Sequence, residues 1–208
     1  MDATNMVGRG ELKFQDVVLN PAESASLQYM REEEKLAHDI YLAFHELWGK
    51  SVFPIFANIA ESEQRHSDAI KWLINNYQLP DPASLVRGKF TESKLQNLYH
   101  ELLKTGQVSV IAALQVGAAL EEIDITDLNK ILQSSINPNI QRVYRELLQG
   151  SHDHLRAFVH QLRLNGIDYA PQTLELAKFE EILRAVTPAA PPTDVKNDVK
   201  KVVFMAQR

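Results

Sequence analysis

Glu63-Gln64-Arg65-His66 recurs, with its leading carboxylate lost, as Ser151-His152-Asp153-His154, and a glutamate stands at a fixed distance before each copy. Glu34 precedes His66 by 32 residues, and Glu122 precedes His154 by 32. In a bundle built from two helical hairpins, this arithmetic carries one carboxylate and one acid-x-x-His or Ser-x-x-His pair from each hairpin to a common depth in the core. Acids and imidazoles buried at one level point to a metal.

Working outward, Gly and Pro fall between long segments whose apolar residues recur at three and four positions, so the chain reads as all-α. The first helix is expected to start near Pro21, capped by Asn20, and to end near Trp48-Gly49. Its inner stripe is Leu27, Met30, Glu34, Ala37, Tyr41, Phe44 and Trp48. The second helix is expected over residues 51–77, with the stripe Phe56, Ile59, Glu63, His66, Ile70, Leu73 and Tyr77. A longer connection from Gln78 to Gly106, opened by Pro80-Asp81-Pro82, contains a short helix over 91–104 and suits a crossover between hairpins. The third helix is read over 107–133. Asn137 caps a fourth that reaches Leu164-Asn165-Gly166, with Ile140, Tyr144, Leu147, Ser151, His154, Phe158 and Leu162 facing inward. The expected organisation is an N-terminal extension (1–20), a four-helix bundle (21–166), an additional amphipathic helix (167–187) starting at Pro171, and a Pro-initiated mobile tail (188–208).

Glu34, Glu63 and His66 occupy steps that the helical period assigns to the core, and burying an unpaired carboxylate is expensive. A protonated or salt-bridged acid would resolve the conflict, and so would a chelated metal. Residues three apart share a helix face, so the carboxylate and imidazole of a Glu-x-x-His pair can converge on one point. Glu32 and Glu33 are assigned to a solvated run beside Lys35. Glu121 and Glu122 both border the core, and the repeat arithmetic selects Glu122. Tyr41 is a candidate outer hydrogen-bond donor or redox-active phenol, packing being the plainer reading of an aromatic at a core step.

Composition narrows the chemistry. The 208 residues, 45% hydrophobic, suffice for one well-buried domain plus tails. A net charge of -5 with interspersed signs offers no basic stripe for nucleic acid. No apolar run approaches the roughly 20 residues needed to span a bilayer. The polar opening Met1-Asp2-Ala3-Thr4-Asn5 has no export-signal pattern, so a cytoplasmic location away from membranes is expected. The absence of cysteine excludes disulfides, thiolate catalysis and any cysteine-ligated metal on this chain, leaving oxygen and imidazole donors.

The stretches Met30-Arg-Glu-Glu-Glu-Lys-Leu-Ala37 with Tyr41, Ile59-Ala-Glu-Ser-Glu-Gln-Arg-His66, Glu121-Glu-Ile-Asp-Ile125 and Gly150-Ser-His-Asp-His-Leu-Arg-Ala-Phe158 resemble the ferritin-like superfamily. The similarity is closer still to a prokaryotic ferritin-like family labelled a domain of unknown function. It spans residues 25–165 and implies a four-helix bundle with a crossover and a carboxylate-bridged pair of iron or manganese ions. Carried over by motif, the metal ligands are Glu34, Glu63, His66, Glu122 and His154. Serine stands at 151 where the superfamily has the second motif's glutamate, so the set holds three carboxylates rather than four. The second ion would then be weakly held, absent, or completed by another group, Glu121 and His38 being the substitutes considered. The resemblance implies an oxidoreductase reacting with dioxygen or peroxide, supplied by an external electron donor. A homo-oligomer, with a dimer in view, is expected. The alternatives are non-catalytic iron binding or storage, and a metal-free helical interaction protein.

Overall fold

The computed structural model describes residues 18–49, 54–135 and 137–185. Most of the expected N-terminal extension and the whole of the tail from 188 lie outside these residues. Six helices and no strand are found among the described residues: α1 (Pro21–Trp48), α2 (Ile55–Asn76), α3 (Ser93–Gly106), α4 (Val110–Ser134), α5 (Pro138–Leu164) and α6 (Leu176–Arg184).

Local chemistry sets where these helices begin. At the start of α1, the Asn20 side chain accepts the Glu23 N–H at 2.9 Å and the Glu23 carboxylate accepts the Asn20 N–H at 3.1 Å, with Pro21 in the first helical position. Asn137 opens α5 in the same manner, its side chain accepting the N–H groups of Asn139 and Ile140. Ser109 starts α4 by accepting from Ala112, which places the helix start at Val110 rather than at the expected residue 107.

α1 packs chiefly on α2, and α4 chiefly on α5. Further contacts of α2 with α5 and of α1 with α4 close the ring of four. Chain direction follows from two apolar clusters that the helices visit in opposite orders. One contains Leu36, Ile40, Phe44, Phe56, Ile59 and Phe158, and the other Leu27, Met30, Ile70, Leu73, Leu128 and Leu147. α1 and α5 run from the second cluster to the first, whereas α2 and α4 run from the first to the second. Between the clusters, all four helices place polar residues at one depth: Glu34, Glu63 and His66, Glu121 and Asp124, and Ser151 and His154, all buried.

Because α2 and α4 run in the same direction, the connection between them must climb the length of the bundle, about 33 Å for a helix of 22 residues. α3 lies in that climb and packs against both α1 and α4. Polar side chains of α1 hold the crossover. Arg31 pairs with Asp81 at 3.2 Å, Lys35 donates to the Val86 carbonyl at 3.2 Å, and Asp39 accepts the Gly88 N–H at 2.8 Å. Glu32 accepts the N–H groups of Thr91 at 2.6 Å and Glu92 at 2.8 Å, just ahead of α3.

These contacts correct the expectation that Glu32 and Glu33 are solvated, since both are buried. α1 is covered by α2 on one side, α4 on another and the crossover on a third, so its polar face has no solvent to meet. A second correction concerns the last helix, expected from Pro171 to about Val186. It begins only at Leu176, because the N–H groups of Gln172, Thr173 and Leu174 turn onto the buried Glu122 carboxylate instead of entering a helix; Val186 lies outside the described residues.

Glu32→Ala removes the acceptor of two backbone donors while leaving α1 helical. Chemical denaturation should show a loss of about 2 kcal/mol. A change within about 0.5 kcal/mol, the size of an ordinary surface substitution, would return Glu32 to a solvated face.

Candidate metal centre

Glu63 occupies the middle of the polar layer and meets both halves of the bundle. Its Oε2 lies 2.8 Å from Nδ1 of His66, one turn along α2, and its Oε1 lies 2.6 Å from Nδ1 of His154 on α5. Glu34 Oε2 approaches His66 Nδ1 at 3.3 Å, and Glu121 Oε2 approaches His154 Nδ1 at 3.4 Å. The two imidazole rings lie nearly parallel, their centroids 5.5 Å apart. Two triads result, Glu34–Glu63–His66 and Glu63–Glu121–His154, each presenting ligand atoms within 4.8 Å of one another and sharing Glu63.

Hydrogen bonding leaves this layer incomplete. Glu34 Oε1, Glu63 Oε1, His154 Nδ1 and Asp124 Oδ1 are buried without a hydrogen-bond partner, as are both carboxylate oxygens of Glu33. The 2.6 Å approach of Glu63 to His154 is close enough for a hydrogen bond but lacks its geometry. Buried polar atoms are ordinarily satisfied. Their concentration in one layer, facing a small cavity lined by Glu33, Glu34, Glu63, Glu121 and Asp124, is what a cation's ligands look like without the cation.

The electrostatics agree. Burial drives Glu34 up to about 8 despite the neighbouring His66, and raises Glu121, with the Glu63 charge adding to the effect. Burial also opposes ionisation of Glu63, yet His154 and His66 together hold its carboxyl well below the usual range. Both imidazoles respond in kind. Burial disfavours their protonation, but the carboxylates, Glu63 foremost, push His66 well above its ordinary value and His154 to about 10. The proton affinity of the two rings is thus coupled to the charge on the central Glu63.

Of the residues selected by spacing, Glu34, Glu63, His66 and His154 come together, whereas Glu122 does not. Its carboxylate points to the opposite side of α4, accepting the Tyr169 hydroxyl at 2.6 Å and the N–H groups of Gln172, Thr173 and Leu174 at 2.7–2.9 Å. Glu121 takes the place assigned to Glu122 because the equal spacing of the repeat assumes equal connections. Residues 49–54 join α1 to α2, but only 135–137 join α4 to α5. Tyr41 donates to Glu121 Oε1 at 2.5 Å, and burial, followed by the Glu121 charge, pushes its phenol well above the ordinary value. His38 lies outside both triads, with Nδ1 3.1 Å from Asp39. Ser151 is buried and hydrogen-bonds to Asp124.

Two acids of the layer were not singled out by pattern. Asp124 stands one turn after Glu121, an acid-x-x-acid step of the same length as Glu63-x-x-His66, and that spacing was its available signal. Glu33 carries no such signal, because it is buried towards α4, beside Glu121 and Asp124, which the pattern of α1 alone does not reveal.

Gly150 explains how His66 is aimed. A Cβ on this residue would lie 2.6 Å from both Cε1 and Nε2 of the His66 ring, so only glycine lets α5 close on the imidazole. The ring edge bearing Nε2 rests on the helix backbone, and Nδ1 is directed at the carboxylates.

Comparison with known proteins is consistent over most of the chain. Residues 23–186 match the family described as "Uncharacterized protein domain (DUF2202)", and the chain belongs to that family. It is 42% identical over 170 residues to the Uncharacterized protein MJ0754 of Methanocaldococcus jannaschii, covering 81% of this chain and 90% of the relative. The crystal structure of the hypothetical protein MJ0754 from Methanococcus jannaschii superimposes with a TM-score of 0.81 at 40% identity, covering 86% of this chain and 100% of the other.

Glu122→Gln keeps the shape of the side chain but weakens its hold on the turn over 172–174. The expected outcome is a loss of about 1–3 kcal/mol in denaturation, with faster proteolysis near that turn and unchanged metal uptake. Loss of a bound ion in this variant would move the ligand register back from Glu121 to Glu122.

Proposed function

We propose that this DUF2202 domain is a ferritin-like, carboxylate-bridged di-metal protein that holds iron or manganese and works as an oxidoreductase toward dioxygen or peroxide. The observation that carries the reading is the position of Glu63, one oxygen facing each histidine from the shared corner of two triads. Glu34 and His66 would complete one ion's protein ligands, and Glu121 and His154 the other's, with Glu63 bridging. Carboxylate and imidazole donors suit iron and manganese, and the buried atoms without hydrogen-bond partners fit a cation's needs. The resemblance of the flanking motifs to the ferritin-like superfamily supports the same assignment.

When bound, such a pair supplies one-electron redox chemistry at open coordination positions where an oxidant can bind. The chain's own contribution is positioning and proton control. Two apolar clusters seal the layer above and below, which keeps bulk water from competing for ligand positions. Tyr41 stays protonated under ordinary conditions and donates to Glu121, orienting that carboxylate as a hydrogen-bonded ligand partner should. His66 and His154 must give up protons before their Nδ1 atoms can bind an ion. Electrons must arrive from outside, since a chain without cysteine carries no thiolate-ligated redox centre.

Elemental analysis after expression in iron- or manganese-supplemented medium should find up to two ions per chain, and Glu63→Ala should remove both. Ferrous protein prepared without oxygen should then consume dioxygen or peroxide faster than Glu63→Ala does. Stoichiometric metal without such consumption would leave binding or storage, the latter requiring a native mass far above that of a dimer. Absence of metal under all loading conditions would sink the whole reading.

A pH dependence follows from the imidazoles. Their folded-state pKa values are raised, so the protons that metal must displace are fully present below about 7 and are lost as pH climbs through the folded value, about 10 for His154. Manganese affinity should therefore strengthen from acidic to alkaline pH. Calorimetry in buffers of different ionisation enthalpy should report net proton release on binding. Proton uptake, or an affinity flat across that range, would contradict the assignment of these nitrogens as ligands.

A further inference from the structure

The layer has a vacancy in its pattern and a carboxylate beside it. Ser151 sits at the α5 position one turn before His154, facing inward and 1% exposed, where a hydroxyl is too short and too weak a donor to stand in for a carboxylate. Its single O–H is shared instead between Oδ2 of Asp124, on the neighbouring helix α4, and the Leu147 carbonyl, 3.0 Å away. Asp124 is only 8% exposed, and its other oxygen, Oδ1, has no hydrogen-bond partner. It lines the same small cavity as Glu34, Glu63 and Glu121.

Charge balance makes the same demand. Two divalent ions bring four positive charges into a layer sealed between apolar clusters, whereas Glu34, Glu63 and Glu121 supply three negative ones. An uncompensated charge at that depth is costly. With the two imidazoles neutral, one more carboxylate closes the balance. Of the two remaining acids on the cavity, Glu33 and Asp124, it is Asp124 that lies one helical turn from a triad carboxylate, Glu121, and so shares its helix face.

We propose that Asp124, held in place by Ser151, is the fourth carboxylate of the metal centre. The inference rests on the di-metal reading above and adds to it a fourth carboxylate, on the cavity that acids of both triads share. The acid has in effect moved from α5 to α4. Glu121-x-x-Asp124 supplies two carboxylates from one helix face, and Ser151 has become the hydrogen-bond donor that orients the second of them. The serine is thus no deficit. It frees the space into which Asp124 reaches and fixes that side chain's direction, as outer hydrogen bonds do for metal-bound carboxylates.

The test is manganese(II) titration with elemental analysis and thermal melting, with and without the ion, for the wild type and three variants. The wild type should bind two ions per chain. Asp124→Asn, which keeps the shape and removes the charge, should fall toward one. Ser151→Ala, which removes the donor to Asp124 but not the acid, should keep both ions while weakening the second about 10–100-fold. The double variant Asp124→Asn/Ser151→Glu returns the carboxylate to α5 and should recover the second ion along with its added melting temperature, which a merely structural role for Asp124 does not predict. Unchanged two-ion binding in Asp124→Asn overturns the proposal; should that variant not fold, unchanged affinity in Ser151→Ala does so. A wild type that binds no manganese overturns the di-metal reading itself, a separate result.

Discussion

Seven ionisable groups, Glu33, Glu34, Glu63, Glu121, Asp124, His66 and His154, lie buried in one slab between two apolar clusters. Everything around them can be read as the means of keeping that slab closed. A small soluble core gains most of its stability from apolar burial, and a polar layer through its centre divides that core in two. The division is tolerable only if the groups neutralise one another or share a cation. The raised proton affinity of the imidazoles flanking Glu63 favours the first arrangement, and the unpartnered oxygens leave it incomplete.

Seven of the buried carboxylates among the described residues fall into two physical classes, with Asp39 and Glu121 apart: Asp39 accepts from Lys35 and Gly88, and Glu121 from Tyr41. Glu23, Glu32 and Glu122 end on backbone N–H groups: those of Asn20 and Asn137, of Thr91 and Glu92, and of Gln172, Thr173 and Leu174. These three staple a helix start, the crossover and the C-terminal segment to the bundle. Glu33, Glu34, Glu63 and Asp124 each keep at least one oxygen without a partner. The first class ties the elements together, and the second lies in the polar layer of the proposed site. Burial alone does not separate them. The fate of the second lone pair does.

That distinction marks the limit of what the sequence could reveal. Helical periodicity and punctuation were enough to locate the two hairpins, and the 32-residue interval was enough to bring Glu34, Glu63, His66 and His154 to one depth. The choice between Glu121 and Glu122 turned on about 100° of helix rotation, which depends on the unequal connections between the paired helices. Single-helix patterning assigns Glu32 and Glu33 to solvent because it has no knowledge of the crossover that covers Glu32 or of the α4 face that Glu33 meets. Asp124 offers a single weak signal in the sequence, its place one turn after Glu121, and that signal gains weight only once the structure shows what Ser151 faces. The late start of α6 is the same lesson from the other side: Pro171 is a sound helix opener, but a buried anion captured the N–H groups that would have begun the turn.

Gly150 divides the centre into a stiff part and a compliant one. The His66 ring packs so closely on α5 at Gly150 that a Cβ there would lie 2.6 Å from its Cε1 and Nε2, which restricts its movement on that side. Carboxylates on long side chains have no such restraint and can exchange one-point for two-point attachment by small torsional steps. Under the proposed function, any rearrangement on taking up or releasing an ion falls mainly to the oxygen donors, with the His66 ring the more restrained partner.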